Sequence, residues 1–158
     1  MVSINDVIPN INSIDQDNNT VNLFEIATKQ KKKIVVYFYP KDDTPGCTKE
    51  ACSFRDDYAY FEKNNIAVFG VSKDSINSHV KFITKYKLPF PLISDTNLEL
   101  TKKLGAFGKK RTGGEGLIRS TFIIDENGKI RFIFGLEGFP KVNTAIHSQE
   151  VIEALKNL

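Results

Sequence analysis

The sequence predicts an α/β protein with a central mixed β-sheet, helices on both faces of that sheet, and a β-hairpin at the N-terminus. Short apolar runs alternate with segments in which apolar residues recur every three or four positions, as expected of buried strands joined by helices. Right-handed crossovers between such strands place helices on both faces. Near the C-terminus, the turn residues DENG (125–128) join two strand-like runs, and a hairpin there makes the sheet mixed rather than purely parallel.

The first part of the chain supplies the hairpin and an alternation of strands and helices. The turn-rich tetrapeptide QDNN (16–19) separates two short strand-like stretches. Continuous apolar composition is typical of strands that are covered on both faces, and helical periodicity after helix-starting residues predicts the helices. The predicted strands are 11–15, 20–23, 34–39, 66–71 and 92–94, and the predicted helices are 45–64, 72–87 and 95–104.

The last third of the chain is predicted to close the sheet. Five glycines fall within residues 105–116, which predicts a loop there. Residues 119–125 and 129–136 are the two strands of the C-terminal hairpin. Residues 149–158 form a closing helix, because Val151, Ile152 and Leu155 lie on one helical face.

Length and composition limit the class of protein. A chain of 158 residues favours a single domain spanning 1–158. The formal net charge of +3 is too small to indicate a nucleic-acid partner, and the apolar runs are too short to cross a bilayer. The first 19 residues lack the basic start and the apolar stretch of a secretory signal. The sequence therefore predicts a cytosolic or organelle-matrix protein, with the cytoplasm as the default.

Both cysteines lie in one short segment, YPKDDTPGCTKEAC (39–52). Two cysteines and two histidines disfavour a structural zinc site, and a CxxC redox motif is missing. In a reducing compartment, two thiols this close in sequence are either packing residues or a working redox pair.

Cys47 follows the carboxyl end of the predicted strand 34–39 and lies near the first turn of the next helix. Reactive groups collect at this end of the strands in such sheets. Thr44 suits the N-cap and Pro45 the first helical position. A thiolate there is stabilised by unpaired backbone N–H groups and by the helix dipole, which activates the cysteine as a nucleophile. The alternative is a small buried residue at a helix start.

The spacing of the two cysteines favours a transient disulfide over a structural one. Five residues of ideal helix advance about 7.5 Å and rotate about 140°, which leaves the two Cα atoms about 8 to 9 Å apart. A disulfide needs Cα atoms about 4.4 to 6.8 Å apart. If Cys47 and Cys52 pair, the start of the helix must therefore unwind, which a bond made and broken in each cycle allows.

The segment YFYPKDDTPGCTKEAC (37–52) resembles the active-site segment of peroxiredoxins of the bacterioferritin comigratory protein, or Q, subfamily. Pro40, Thr44 and Cys47 match the family signature Pro-x-x-x-Thr-x-x-Cys, and Cys52 matches the resolving cysteine of the subfamily. The stretch IRSTFIID (118–125) matches the strand that carries the active-site arginine, which assigns that role to Arg119. The resemblance covers nearly the whole chain and implies a thioredoxin-like layered sandwich.

The resemblance also implies a reaction, that of a thiol-specific peroxidase in antioxidant defence. The Cys47 thiolate attacks hydrogen peroxide or an organic hydroperoxide and becomes a sulfenic acid. Arg119 holds the thiolate and the departing oxygen, Thr44 hydrogen-bonds the peroxide or the thiolate, and Pro40 shields the pocket from water. Cys52 then closes an intrachain disulfide, which thioredoxin or a thioredoxin-like protein reopens. This chemistry requires neither a metal nor an organic cofactor, and a monomer is expected rather than a homo-oligomer.

Several alternatives stay open on sequence alone. Glu50 either joins the network around Cys47 or is a solvated helix carboxylate. Neither His79 nor His147 has a sequence reason to face Cys47, which disfavours a cysteine–histidine hydrolase. The stretch GKKRTGGEG (108–116) lacks the spacing of a phosphate-binding loop and is expected to be a mobile loop. The rival functions are a thioredoxin-like module whose thiols only sense or dock, and a protein disulfide oxidoreductase.

Overall fold

The computed structural model describes residues 2–158 and begins with the expected hairpin. Strands β1 (Ser13–Ile14) and β2 (Thr20–Val21) pair antiparallel, with Ser13 opposite Val21. Helix α1 (Leu23–Lys29) follows directly; the sequence pattern does not predict this helix, and it begins at residue 23, the end of the predicted strand 20–23. The Asn22 side chain starts this helix by accepting a hydrogen bond from the backbone N–H of Glu25 at 3.0 Å.

The central sheet has the strand order β5-β4-β3-β8-β9 in the described part of the chain. Strands β3, β4 and β5 run parallel, whereas β8 is antiparallel to both β3 and β9. The expected mixed sheet is therefore confirmed. The strands are β3 (Lys33–Phe38), β4 (Ile66–Ser72), β5 (Leu92–Ser94), β8 (Ser120–Ile124) and β9 (Ile130–Phe134).

Helices cover both faces of this sheet, as the sequence predicts. Alternate residues of β3 point to opposite faces, so that Ile34 and Val36 join one buried cluster while Val35 and Tyr37 join the other. The first cluster includes residues of α1 and α5, and the second includes residues of α2, α3, α4 and α6. The helices after α1 are α2 (Pro45–Asp56), α3 (Tyr58–Lys63), α4 (Ile76–Tyr86), α5 (Glu99–Lys103) and α6 (His147–Lys156).

The predicted single helix over 45–64 is wrong, because two helices replace it. The chain leaves the helical conformation at Asp57, whose φ and ψ are −104° and 12°. The carboxylate of Asp57 accepts a hydrogen bond from the Ser148 hydroxyl of α6 at 2.6 Å. The break between α2 and α3 is thus held by a residue far away in the sequence, which helical periodicity does not reveal.

The predicted loop over 105–116 is also wrong in part, because it contains a second hairpin. Strands β6 (Phe107–Lys109) and β7 (Glu115–Leu117) pair antiparallel with Phe107 opposite Leu117. Gly113 and Gly114 have φ values of +101° and +70°, a conformation that suits glycine in a tight turn. The high glycine content that suggested a loop is what allows this turn.

The remaining helices begin near their predicted starts. Ser75 caps α4 by accepting a hydrogen bond from the Ser78 N–H at 3.2 Å. Asp95, predicted to cap the next helix, accepts from the N–H groups of Leu100 and Thr101 in the first turn of α5. None of the helices within residues 2–158 is both long and apolar enough to cross a membrane.

Candidate active site

Cys47 lies in the first turn of α2, just past the carboxyl end of β3. The N-cap residue Thr44 has an extended backbone, and Pro45 is the first helical residue. The Cys47 side chain is enclosed, with only 1% of its surface exposed. The Thr44 hydroxyl donates to the carbonyl of Lys41 at 2.8 Å instead of capping the helix. The backbone N–H groups of the first turn are therefore left without that side-chain acceptor near Cys47.

Arg119 immediately precedes β8, the strand beside β3, and reaches Cys47 from there. The antiparallel register pairs Phe38 at the carboxyl end of β3 with Ser120 at the start of β8. Arg119 therefore lies beside the carboxyl end of β3, where the chain continues towards α2. Its Nη2 donates to Cys47 Sγ at 3.2 Å, and its Nη1 donates to Glu50 Oε1 at 2.6 Å. Burial lowers the pKa of Arg119, but the charges of Glu50 and Cys47 outweigh burial and raise it, so the guanidinium is a permanent cation.

Two glycines make room for Arg119. A Cβ on Gly46 would come within 3.2 Å of Arg119 Nη2 and would crowd the guanidinium. Gly135 has a φ of +87°, and a Cβ there would overlap the backbone carbonyl of Arg119. A side chain at Gly135 would therefore collide with the backbone of the arginine, and one at Gly46 would require the guanidinium to shift.

A cleft of about 950 Å³ opens beside this arginine. Pro40 and Arg119 contribute to its wall, and the β6–β7 hairpin contributes Phe107, Leu117 and a group of basic residues. The basic residues are Lys109, Lys110 and Arg111. The cleft therefore gives a path from solvent to the guanidinium that holds Cys47, along walls that are partly apolar.

The loop between β3 and α2 is fastened to α4 through Asp42. The Asp42 carboxylate accepts from the hydroxyls of Tyr39 and Ser78 and lies 2.7 Å from His79 Nδ1. His79 Nε2 lies 3.0 Å from the carbonyl oxygen of Ile93. Both ring nitrogens thus lie within hydrogen-bond distance of an oxygen atom. Asp42, Asp74 and His79 lie close enough to share a cation, but a metal ligand needs a ring nitrogen with a free lone pair.

Cys52 lies in the same helix, five residues beyond Cys47. Its side chain is half-buried, and burial raises the pKa of its thiol. Both cysteines are free thiols. Because residues 45–56 form one continuous helix, the two side chains project from it in different directions, as the spacing predicts.

Comparisons with known proteins agree with this geometry. A model of the AhpC/TSA family matches residues 4–133. The chain belongs to this family. The putative peroxiredoxin bcp of Coxiella burnetii is 46% identical over 130 residues, which are 78% of this chain and 81% of that protein. The chloroplastic peroxiredoxin Q of Oryza sativa is 38% identical over 157 residues, 99% of this chain and 68% of that protein.

A solved structure supports the same assignment. The bacterioferritin comigratory protein of Xanthomonas campestris, whose structures concern alkyl peroxide reduction, aligns with a TM-score of 0.85 and 30% identity. The alignment covers 96% of this chain and 98% of that one. The protein is therefore a peroxiredoxin enzyme with a thioredoxin-like fold, and the expected thiol peroxidase activity is confirmed.

Two further residues, Glu50 and His147, lie at this peroxiredoxin site, although the sequence leaves the role of Glu50 open and gives no reason for His147 to face Cys47. Glu50 is fully buried rather than solvated, and it binds Arg119. Burial, partly offset by Arg119, raises the pKa of Glu50 to about 7. His147 Nε2 lies 3.9 Å from Glu50 Oε2. The position of Glu50, three residues after Cys47, could have indicated a shared helix face; the sequence carries no such signal for His147.

Proposed function

We propose that this peroxiredoxin reduces hydrogen peroxide and organic hydroperoxides with Cys47 as the peroxidatic cysteine, the residue that attacks the peroxide. The contact of 3.2 Å between Arg119 Nη2 and Cys47 Sγ, at the amino end of α2, is the observation that carries this proposal. A fixed cation and a helix amino end both favour the thiolate, which is the nucleophilic form of cysteine.

Each surrounding residue has a role in the attack. The Cys47 sulfur bonds to the terminal peroxide oxygen, the O–O bond breaks, and the leaving alkoxide takes up a proton, which yields a sulfenic acid and an alcohol or water. Arg119 stabilises the charge as it moves from sulfur to oxygen. The Thr44 hydroxyl donates a hydrogen bond to the backbone carbonyl of Lys41, and its oxygen can still accept one from a peroxide O–H. Pro40 forms a wall of the cleft and lacks an N–H that could bind water there.

Organic hydroperoxides are included because of the cleft. Its wall contains Phe107, Leu117 and Phe139, which suit an alkyl group better than water. The related Xanthomonas campestris protein acts on alkyl peroxides. The apolar wall supports the same substrate class for this enzyme.

We propose Cys52 as the resolving cysteine, the residue that attacks the Cys47 sulfenic acid and closes an intrachain disulfide. The two thiols are free and share α2, and the disulfide requires the first turns of that helix to unwind. Thioredoxin or a thioredoxin-like dithiol protein then reduces the disulfide by exchange. The Cys52 thiol, whose pKa is raised by burial, stays protonated until the helix opens.

The proposal extends to the organisation of the protein. We propose a single domain over residues 1–158, since one sheet carries both buried clusters. The monomeric state stays a prediction. The cytoplasmic location stays a prediction, and the Oryza sativa relative is chloroplastic.

An NADPH-coupled assay with thioredoxin and thioredoxin reductase tests this function. We expect NADPH oxidation that depends on the protein, on thioredoxin and on either hydrogen peroxide or an alkyl hydroperoxide. A module that only senses or docks would give no turnover with any peroxide. A disulfide oxidoreductase would reduce a protein disulfide, such as that of insulin, without peroxide. Either of these results would overturn the proposal.

A further inference from the structure

Glu50 is a buried acid with an incomplete set of hydrogen bonds. Its side chain is completely buried, yet its Oε2 has no hydrogen-bond partner. Within residues 2–158, the only other buried side-chain oxygen or nitrogen in this condition is the hydroxyl of Tyr37. An unpaired buried carboxylate oxygen is costly, about 1 to 3 kcal/mol or more, so the state of this group requires an explanation.

The charges around Glu50 do not balance if both acids are ionised. Arg119 donates one N–H group to Glu50 and another to Cys47, so a single cation serves two potential anions. With the Cys47 thiolate present, an ionised Glu50 would leave a net negative charge in an enclosed pocket. A protonated Glu50 leaves the pocket neutral, because the thiolate and the guanidinium then compensate each other.

We propose that Glu50 holds a proton while Cys47 is a thiolate and gives it up when Cys47 is oxidised, and that His147 and Glu150 connect this proton to the protein surface. The inference rests on the proposed role of Cys47 as the peroxidatic cysteine. Glu50 and His147 act through Arg119 and Cys47 and are therefore positioning residues rather than catalytic ones.

The step balances in atoms and in charge. The thiolate of Cys47 and ROOH give the sulfenic acid and RO⁻, and this alkoxide takes a proton from solvent in the cleft to become ROH. Glu50 releases its Oε2 proton to solvent through His147 and Glu150 and becomes the carboxylate that compensates Arg119, so that the wild type takes up no net proton. Arg119 is thereby paired with the thiolate before the reaction and with the carboxylate after it, and the pocket stays neutral throughout.

The route to the surface runs through α6. His147 is fully buried, with Nε2 3.9 Å from Glu50 Oε2 and Nδ1 2.8 Å from Glu150 Oε1. Glu150 is partly exposed, with 25% of its side-chain surface accessible. Once the Thr121 hydroxyl has rotated away from Nε2, this nitrogen accepts the proton of Glu50 and the Nδ1 proton passes to Glu150, so that one N–H bond forms as the other breaks. A movement of about 1 Å would bring Glu50 and His147 into hydrogen-bond distance.

The neighbouring groups agree with this assignment. Burial lowers the pKa of His147, which keeps the ring neutral and able to accept a proton. In the neutral ring, Nδ1–H donates to Glu150, and Nε2 accepts from the Thr121 hydroxyl at 2.7 Å. The Tyr37 hydroxyl, on β3, is the remaining titratable group near Glu50, and burial raises its pKa so that it stays neutral.

A proton count tests the holding role of Glu50. The reduced enzyme and the Glu50→Gln variant are oxidised with one equivalent of hydrogen peroxide at pH 6 in weak buffer, and a pH indicator reports proton uptake. We expect the variant to take up about one proton more per oxidised Cys47 than the wild type, because it has no Glu50 proton to give. Glu62→Gln, at an exposed position on α3, is the matched control and should behave as wild type. Equal proton uptake by the wild type and Glu50→Gln would overturn the proposal.

Chemical rescue tests the route. We expect His147→Ala to slow oxidation of Cys47 at saturating peroxide by about tenfold or more. Imidazole should restore the rate, whereas pyrazole, which has the same shape but is a far weaker base, should not. The route would be overturned if both compounds restored the rate equally, or if neither restored it in a folded variant. An unchanged rate of Cys47 oxidation in His147→Ala would overturn it too. Should His147→Ala not fold, Glu150→Gln serves instead, and a wild-type rate in that variant would contradict the route.

The proposed function and this inference fail in different ways. Intact mass is measured in the same experiments. If peroxide leaves Cys47 unmodified in the wild type, the proposed function is wrong. If Cys47 is oxidised but Glu50→Gln takes up as many protons as the wild type, the peroxidase proposal stands and the role of Glu50 is wrong. If Cys47 is oxidised but imidazole rescues His147→Ala no better than pyrazole does, the peroxidase proposal stands and the route through His147 is wrong.

Discussion

Two positions on α2 carry the same functional group in different surroundings. At the amino end, Cys47 is enclosed and receives a hydrogen bond from the Arg119 guanidinium. In the second half of the helix, Cys52 is half-buried and its thiol pKa is raised by burial. The same residue type on the same helix therefore has a guanidinium donor at one position and, within the described part of the chain, no such cation bound to it at the other. Under the proposed mechanism, the cation and the helix end make Cys47 rather than Cys52 the attacking thiol.

The anchoring of the helix differs in the same way. The amino end is tied to the sheet through Arg119 and Glu50, while the segment before it is tied to α4 through Asp42. The carboxyl end is tied to α6, where Ser148 donates from its backbone to Ser53 and from its hydroxyl to Asp57. The turns between these anchors must open for the two sulfur atoms to meet.

The largest expected effect comes from Cys47→Ser. Without the attacking thiolate we expect no peroxide reduction in the coupled assay, although the variant should fold, since serine is close to cysteine in size. Circular dichroism provides the control for folding. Peroxidase turnover that survived in this variant would show that the amino end of α2 is not the site of attack.

Arg119→Ala should have the next largest effect. We expect the rate of Cys47 oxidation to fall by about 100- to 1,000-fold, because a fixed donor to the developing charge is lost. Arg119→Lys should recover only part of the rate, since an ammonium group does not bind Cys47 and Glu50 with a planar pair of donors. Stopped-flow measurement of the first turnover gives these rates. A rate within about twofold of wild type would remove Arg119 from the mechanism.

Cys52→Ser should separate the two thiols. We expect the first oxidation of Cys47 to proceed at the wild-type rate and turnover with thioredoxin to stop, because the sulfenic acid is left without its resolving partner. After one equivalent of peroxide, intact mass should show the loss of two hydrogens in wild type and the gain of one oxygen in the variant. An intermolecular disulfide as the main wild-type product would contradict the role of Cys52.

The buried acid at the amino end should also affect stability. Since burial raises the pKa of Glu50 from 4.5 to about 7, the folded state binds more protons than the unfolded state within this range. The free energy of unfolding of the reduced protein should therefore fall as pH rises from 4.5 to 7, by about 3 kcal/mol in total. Glu50→Gln should lose this pH dependence and Glu62→Gln should retain it, as measured by urea unfolding at several pH values. The same slope in all three proteins would contradict the assignment.

The smallest change is expected in local dynamics. Disulfide formation should speed hydrogen exchange over residues 45–53, because the first turns of α2 lose their backbone hydrogen bonds. The reference is α4, whose exchange should be equal in the dithiol and disulfide forms. Slower exchange over 45–53 in the disulfide form would mean that the cysteines meet by some other movement.

The sequence predicted most of the fold correctly because its signals are local. The apolar run of β3, the strands of the C-terminal hairpin and the first turn of α2 each depend on residues within a few positions of one another. Some local patterns are nevertheless misleading, since α1 begins where a strand is predicted and the β6–β7 strands form where a glycine-rich composition predicts only a loop. The break at Asp57 differs, because the carboxylate of this residue is bound by Ser148, which is far away in the sequence.

For the site, the sequence alone determined where the two thiols lie relative to the strand and the helix. The strand end, the helix start and the spacing of five residues are all local features of one short segment. The resemblance added Arg119, and only the tertiary structure decided what that arginine contacts. The register of β8 against β3 brings Arg119 to Cys47, and the packing of α6 on α2 brings His147 to Glu50. These pairs are separated by 72 and 97 residues, and their contact depends on how the sheet and helices are assembled rather than on any local pattern.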